Sequence, residues 1–189
     1  MNPRHMPWLL TMAAVVMPTS VGVTAQHDLH RLNGVNRSSI VRAVRDATER
    51  FRDVNRAIAE GYVQFQGCVS GPMEGAMGVH YSKFDLFDDR IDLATPEALV
   101  YEPGRHGRLE LVAAEYITPA DAWNATHDDF DKPQLMGQLF HFAPGPNRYG
   151  SPAFYELHVW AWKHNPRGVF ADWNPNVSCA DWEGASFER

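Results

Sequence analysis

The stretch RLELVAAEYIT, Arg108–Thr118, predicts a β-strand in the middle of the chain, and several other segments have the same character. The further strand candidates are Val79–Phe84, Glu97–Glu102, Gln134–Phe142 and Ala153–Lys163. Pro103-Gly104 is typical of a turn, so it joins the strand before it to Arg108–Thr118 as a hairpin. Short strands joined in this way favour a mostly antiparallel sheet.

One amphipathic helix is predicted ahead of the strands. Ser38 or Ser39 is a suitable N-cap, and Gly61 is a suitable end. The apolar positions between them recur at helical spacing: Ile40, Val44, Ala47, Phe51, Val54 and Ile58. The sequence therefore predicts an α+β fold, with one long N-terminal helix packed on a sheet that could curve into a cup or half-barrel. A glycine-rich loop, Gly67–Gly78, is expected between the helix and the first strand.

The first 25 residues have the pattern of a cleavable secretory signal peptide. Arg4 and His5 give a basic start, Trp8–Met17 is apolar, and Ala25 completes a small-residue cleavage motif. The apolar run is shorter than the roughly 20 residues that cross a bilayer, although an uncleaved anchor is the alternative. We expect an extracytoplasmic protein, periplasmic or secreted, with no membrane span after cleavage.

The rest of the chain is expected to hold a flexible arm at 26–37 and a single domain at 38–189. Its length, about 164 residues after cleavage, is enough for one substantial core. The chain has two cysteines, Cys68 and Cys179. In an oxidising compartment a lone pair is most simply a disulfide; free thiols or a thiolate metal ligand are the alternatives.

The charge balance and the motifs exclude several functions. The chain carries 23 acidic residues against 17 Lys and Arg, which argues against a nucleic-acid partner because such surfaces depend on Lys and Arg. The glycine-rich stretch lacks the Lys-Ser/Thr of a phosphate loop. The serines lack the context of a nucleophile elbow. The sequence thus identifies no reaction and does not decide whether the protein is an enzyme.

A carboxylate occupies an apolar strand face in Arg108–Thr118. Alternate side chains of a strand share a face, which places Glu115 with Leu109, Leu111, Ala113 and Ile117. An isolated buried charge is very costly. Glu115 is therefore expected to be paired, protonated or bound to a metal.

Histidines lie at mid-strand positions in other segments, which suggests a metal site. If the strand faces converge, His80, Glu115 and His158 supply two nitrogens and one oxygen. This set can hold zinc, iron, manganese or copper with positions left open. Further or outer ligands would come from Glu156, His141 and His164.

Two alternatives to a metal stay open at this stage. The same residues would also suit a metal-free polar pocket, or purely structural pairings. The aromatic tail adds a second hypothesis, because Tyr81, Trp160 and Trp162 could wall a pocket for a small organic ligand. The rival interpretation is that these rings simply fill the core. A non-catalytic ligand-binding protein or a structural envelope protein is then the alternative function.

Three stretches, Gly67–Tyr81, Pro96–Pro103 and Leu157–Pro166 running on to Cys179, carry a family likeness. Together they resemble a group of uncharacterised exported bacterial proteins. The resemblance covers most of the chain after the signal. It implies a bacterial, extracytoplasmic setting, and it brings no activity, cofactor or catalytic residue.

Overall fold

The computed structural model describes Gly34, residues 37–147 and 150–184, and the backbone of Ser186–Glu188. The predicted signal peptide and most of the predicted arm lie outside these residues. Helix α1 spans residues 37–48 and is followed by a 3₁₀ turn at Glu49–Arg52 and a second helix, α2, at Val54–Ala59. No helix among the described residues is long and apolar enough to cross a membrane.

The prediction of one long N-terminal helix is wrong. Asp53 has extended backbone angles, φ −91° and ψ 108°, and its side chain accepts a hydrogen bond from the backbone N–H of Asn55. Aspartate is a strong N-cap, so it begins a new helix where the apolar spacing alone predicted continuation. Ile58 is consequently 50% exposed and does not extend the buried stripe.

Seven strands form one curled, half-barrel sheet. Their bounds are β1 Val63–Gly71, β2 Gly75–Ser82, β3 Ala98–Gly104, β4 Arg108–Pro119, β7 His141–Ala143, β8 Phe154–Val159 and β9 Ser186–Glu188. The order is β7-β8-β4-β3-β2-β1-β9, and each described pair is antiparallel except β1 with β9. Helix α3, Ala120–Thr126, leads from β4 to a small hairpin of β5, Gln134–Leu135, and β6, Gln138–Leu139. The predicted mixed fold with a mostly antiparallel, curved sheet is confirmed.

The predicted glycine-rich loop is instead the hairpin of β1 and β2. Two of its glycines are required by close packing and positive φ. At Gly78, with φ +117°, an added Cβ would lie 2.6 Å from the carbonyl oxygen of Tyr101. At Gly75, with φ +87°, it would lie 2.3 Å from that of Asn174. Glycine here permits close strand approach instead of breaking the strands.

The two faces of the sheet have different partners. On the helix face, Ile40 and Val44 of α1 pack with Tyr116 and Leu157 in one buried cluster. The Tyr101 hydroxyl on the same face donates to the carbonyl oxygen of Phe51 at 2.7 Å. Because alternate residues point to opposite faces, the neighbours of these positions are directed to the other side. That second face, the cavity face, carries the candidate site.

The C-terminal tail is tied to the sheet by a disulfide between Cys68 and Cys179. The predicted pairing is thus confirmed. The bond connects β1 to the tail across a sequence separation of 111 residues. A disulfide of this kind is typical of a non-reducing compartment.

Candidate metal centre

Three strands bring the predicted metal ligands together on the cavity face. Glu115 of β4 is the direct cross-strand partner of His158 in β8. His80 lies two strands away on β2, with β3 between. The Nε2 atom of His80 lies 3.3 Å from Oε2 of Glu115, and Nε2 of His158 lies 3.7 Å from Oε1. One ligand atom from each of the three residues lies within 4.8 Å of the other two.

The first half of β4 directs its side chains to the opposite faces from those predicted. The register between β3 and β4 shifts after Val100, so that Val100 pairs with Ala113 but Tyr101 pairs with Leu111. Leu111 therefore packs with Tyr101 on the helix face. The expectation that Leu109 and Leu111 share the face of Glu115 is wrong, because such a bulge reverses the alternation.

His158 is buried without any hydrogen-bond partner. Its side chain is 0% exposed, and neither Nδ1 nor Nε2 has a partner. Leaving a buried polar group unsatisfied costs about 1–3 kcal/mol. His80 is better supported, because its ring has a hydrogen bond to the backbone of Gly78. The unsatisfied imidazole is directed at the carboxylate of Glu115, where an ion would meet it.

Burial sets the protonation states of the three residues. It lowers the pKa of His80 to about 4 and holds that of His158 well below its ordinary value. Burial, and then the neighbouring Glu156 carboxylate, raise the pKa of Glu115 well above its usual range. Both imidazoles are therefore neutral near pH 7, which is the state that binds metals. A metal ion would have to displace the proton of Glu115.

Acidic groups surround the three residues. Burial raises the pKa of Glu156 to about 7, and its side chain hydrogen-bonds to Glu115. Asp172 Oδ1 lies 3.2 Å from Nδ1 of His141 and 4.0 Å from Nδ1 of His158. Asp172 was missed by the sequence reasoning because it lies in an irregular tail segment, where no periodicity assigns it to a face.

A cavity of about 820 Å³ opens onto the cluster. His80, Glu115, Glu156 and Asp172 are part of its lining, whereas the fully buried His158 lies behind them. Most of the remaining wall is apolar: Phe65, Val69, Met77, Phe84, Phe87, Ile117, Phe154 and the prolines 119, 144, 146 and 152. The candidate metal centre thus lies against an apolar hollow of a size suited to a small organic molecule.

Comparisons with protein-family models, with curated proteins and with solved structures find no match for this chain. Two imidazoles and one carboxylate from three strands lie near enough to hold one ion, and a set of three ligands leaves coordination positions for water or another molecule. Glu156 and Asp172 lie beside these residues, with Glu156 hydrogen-bonded to Glu115 and Asp172 4.0 Å from His158.

The two other predicted histidines, His164 and His141, are not part of the three-residue cluster. His164 is exposed, and its backbone oxygen accepts from Asn174 and Asn176. His141 is about half exposed and reaches the site through Asp172. His141 in β7 is the direct cross-strand partner of Glu156 in β8.

None of the three aromatic residues predicted to wall a pocket lines the cavity, although Trp160 stacks beside His158 with ring centroids 6.3 Å apart. Tyr81 packs against Tyr101 on the helix face, with ring centroids 5.3 Å apart. Trp162 donates from Nε1 to Thr48 at 3.0 Å, and Trp160 packs with Val100 and Ala113. These rings fill the core, and phenylalanines and prolines line the cavity in their place.

Proposed function

We propose that this chain is an exported protein that binds a divalent transition metal through His80, Glu115 and His158. The observation that carries the proposal is the buried His158 ring. Neither of its nitrogens has a hydrogen-bond partner, and its Nε2 lies 3.7 Å from the carboxylate of Glu115. A metal ion between the three side chains would bind Nε2 of that ring and neutralise the carboxylate together. Ligand atoms around one ion lie about 3–4 Å apart, and the contacts of Glu115 with His80 and His158, at 3.3 Å and 3.7 Å, lie in this range.

The ligand set favours zinc or ferrous iron. Zinc in catalytic sites keeps three protein ligands and an open position. Two histidines and one carboxylate with open positions are typical of non-haem iron. Manganese and copper are tested beside them. The bound ion would act as a Lewis acid towards a molecule held in the cavity.

Export is the second part of the proposal. The disulfide between Cys68 and Cys179 supports it, because disulfides persist in oxidising compartments. The predicted signal at residues 1–25 gives the route. Mass spectrometry of the protein from a periplasmic or culture fraction should find a chain that begins at Gln26. A chain retained in the cytoplasm with its first 25 residues would contradict export.

The metal is tested by elemental analysis of untagged protein, followed by titration with zinc, ferrous iron, manganese and cupric ions. We expect close to one ion per chain. Glu115→Gln and His80→Gln should abolish uptake, whereas His164→Gln, an exposed histidine outside the cluster, should bind like the wild type. Failure of the folded wild type to take up any of the four ions would refute the metal proposal. Full uptake by Glu115→Gln would refute the ligand assignment.

A second candidate function, a metal-free small-ligand carrier, is favoured by one observation. The cavity of about 820 Å³ is lined largely by apolar side chains, and this lining does not depend on a bound metal. A carrier of this kind would bind its ligand equally well after treatment with a chelator. The two functions thus differ in whether metal removal changes ligand binding.

A further inference from the structure

We infer that the cavity takes an uncharged molecule with an apolar, ring-sized body and a single oxygen or nitrogen donor that reaches the metal centre. This inference rests on the proposed function, since it names the kind of molecule that the site would receive. Three features of the described residues support it: the volume of the hollow, the distribution of its polar groups and the sign of its charges.

The volume suits a small organic molecule instead of a bare ion or a polymer. Pockets for such ligands measure about 300–1,000 Å³ and are mostly apolar with few polar groups. The hollow of about 820 Å³ lies within this range. Peptide or polysaccharide chains need an extended groove, and a metal ion alone needs no apolar chamber.

The aromatic rings and the ionisable groups of the cavity lining form two separate clusters. Aromatic rings form one cluster, in which Phe84 lies 5.4 Å from Phe65 and 5.2 Å from Phe87 between ring centroids. The histidine and carboxylate groups form another, joined by the contacts of Glu115 with His80 and Glu156. A molecule with one polar end and an apolar body would match both clusters, because each part would meet groups of its own kind.

The charges disfavour an anionic ligand. Among the lining residues that the structure describes, the charged types are the acids Glu115, Glu156 and Asp172, with neither Lys nor Arg. Three carboxylates are enough to meet the two positive charges of a divalent ion. An anionic ligand would therefore lose its hydration without gaining a positive charge to pair with, which is costly.

A cation is disfavoured by the remainder of the chamber. A cationic ligand would have to approach the metal ion itself. Most of the remaining wall is apolar, and its other polar residues, Gln66, Ser82, Asn147 and Ser151, are uncharged. An uncharged molecule avoids both costs. Its donor atom would complete the coordination of the ion, while its body would displace water from the apolar wall.

A matched pair of fluorescent probes tests the inference. N-phenylnaphthylamine is neutral, and anilinonaphthalenesulfonate has the same ring system with an added sulfonate. We expect the neutral probe to bind at one per chain and about tenfold or more tighter than the anionic one. Equal or tighter binding of the anionic probe would overturn the inference.

Substitutions in the cavity lining test whether the neutral probe binds inside the cavity. Ile117→Phe adds bulk to a lining residue, and the same change at the exposed Ile58 is the control. We expect about tenfold weaker binding in the first and no change in the second. Met77→Phe, on a different strand of the lining, repeats the test if Ile117→Phe does not fold. Unchanged binding in a folded cavity variant would also overturn the inference.

Repeating the titration with chelator-treated protein separates this inference from the proposed function. Selective binding of the neutral probe by a protein that takes up no metal would refute the metal and the coordinating donor, and would leave the uncharged, apolar character of the ligand standing. Stoichiometric metal uptake together with preference for the anionic probe would support the metal site and refute the uncharged ligand. The two failures are therefore distinguishable.

Discussion

Glu115 and His158 are direct cross-strand partners, with Oε1 of the carboxylate 3.7 Å from Nε2 of the imidazole. Directly opposed residues of an antiparallel pair have Cβ atoms about 4.5–5.5 Å apart. The register of β4 against β8 thus fixes the spacing of two candidate ligands before any ion binds. His80 adds the third from β2 at 3.3 Å. A site on strands is held more rigidly than one on loops.

Metal binding should stabilise the wild-type fold. An ion that binds only the folded chain adds about 2.7 kcal/mol at a free concentration one hundred times the Kd. We expect the thermal midpoint to rise with saturating zinc or ferrous iron and to return after chelation. Glu115→Gln should melt at the same temperature with and without the ion. A metal-dependent rise of equal size in that variant would show that the ion binds elsewhere.

Asp172→Asn should weaken metal binding without removing a ligand. Asp172 lies 4.0 Å from Nδ1 of His158 and also contacts His141. Carboxylates that orient a ligating histidine typically contribute about 10–100-fold in metal affinity. Competition with a chromophoric chelator would measure the change. Asp181→Asn, an exposed position in the same tail, is the matched control, and equal affinity in both variants would contradict an orienting role.

Ionisation of the buried Glu97 should lower the free energy of unfolding as the pH rises. Its side chain is buried, and its Oε2 accepts from the backbone N–H of Ile117 at 2.9 Å. Burial, with the carboxylates of Asp88 and Asp92, raises its pKa to about 8 from the ordinary 4.5. The folded state then holds a proton that the unfolded state has lost. Stability is therefore complete below pH 4.5 and declines up to about pH 8.

Urea unfolding of chelator-treated protein between pH 5 and 8 would measure this effect. The slope attributable to Glu97 is on the order of 1.4 kcal/mol per pH unit within the window. Glu115 and Glu156 act with the same sign, so the comparison is with Glu97→Gln, which should flatten the profile by the contribution of Glu97 alone. Identical profiles for variant and wild type would show that Glu97 ionises normally. Tyr62 and Tyr116, whose pKa values burial raises, stay neutral across this range.

Loss of the disulfide should destabilise the fold strongly. The bridge joins residues separated by 111 positions. In the chain-entropy model a loop of this length is worth about 4–5 kcal/mol, as an upper figure. We expect Cys68→Ala/Cys179→Ala to lose up to that amount in denaturant unfolding under oxidising conditions. Reduction of the wild type should give a similar loss, and an unchanged midpoint in both would contradict this.

Local patterns predicted the strand faces better than the helix or the loops. The alternation in β8 and in the last part of β4 placed Glu115 and His158 on the faces where the structure has them. The same rule failed at Leu111, because the shifted register after Val100 depends on the partner strand. The helix was overextended because the cap at Asp53 competes with an apolar spacing that otherwise continues.

The sequence by itself determined the class of fold, the single cysteine pair and the mid-strand positions of the two histidines and the glutamate. These follow from short-range alternation and composition, which each segment contains. Only the tertiary structure decided that His80, Glu115 and His158 meet, that Asp172 joins them from the tail, and that phenylalanines and prolines form the cavity wall. Those relations depend on strand register, curvature and the path of the tail, which are set by packing between residues far apart in the chain.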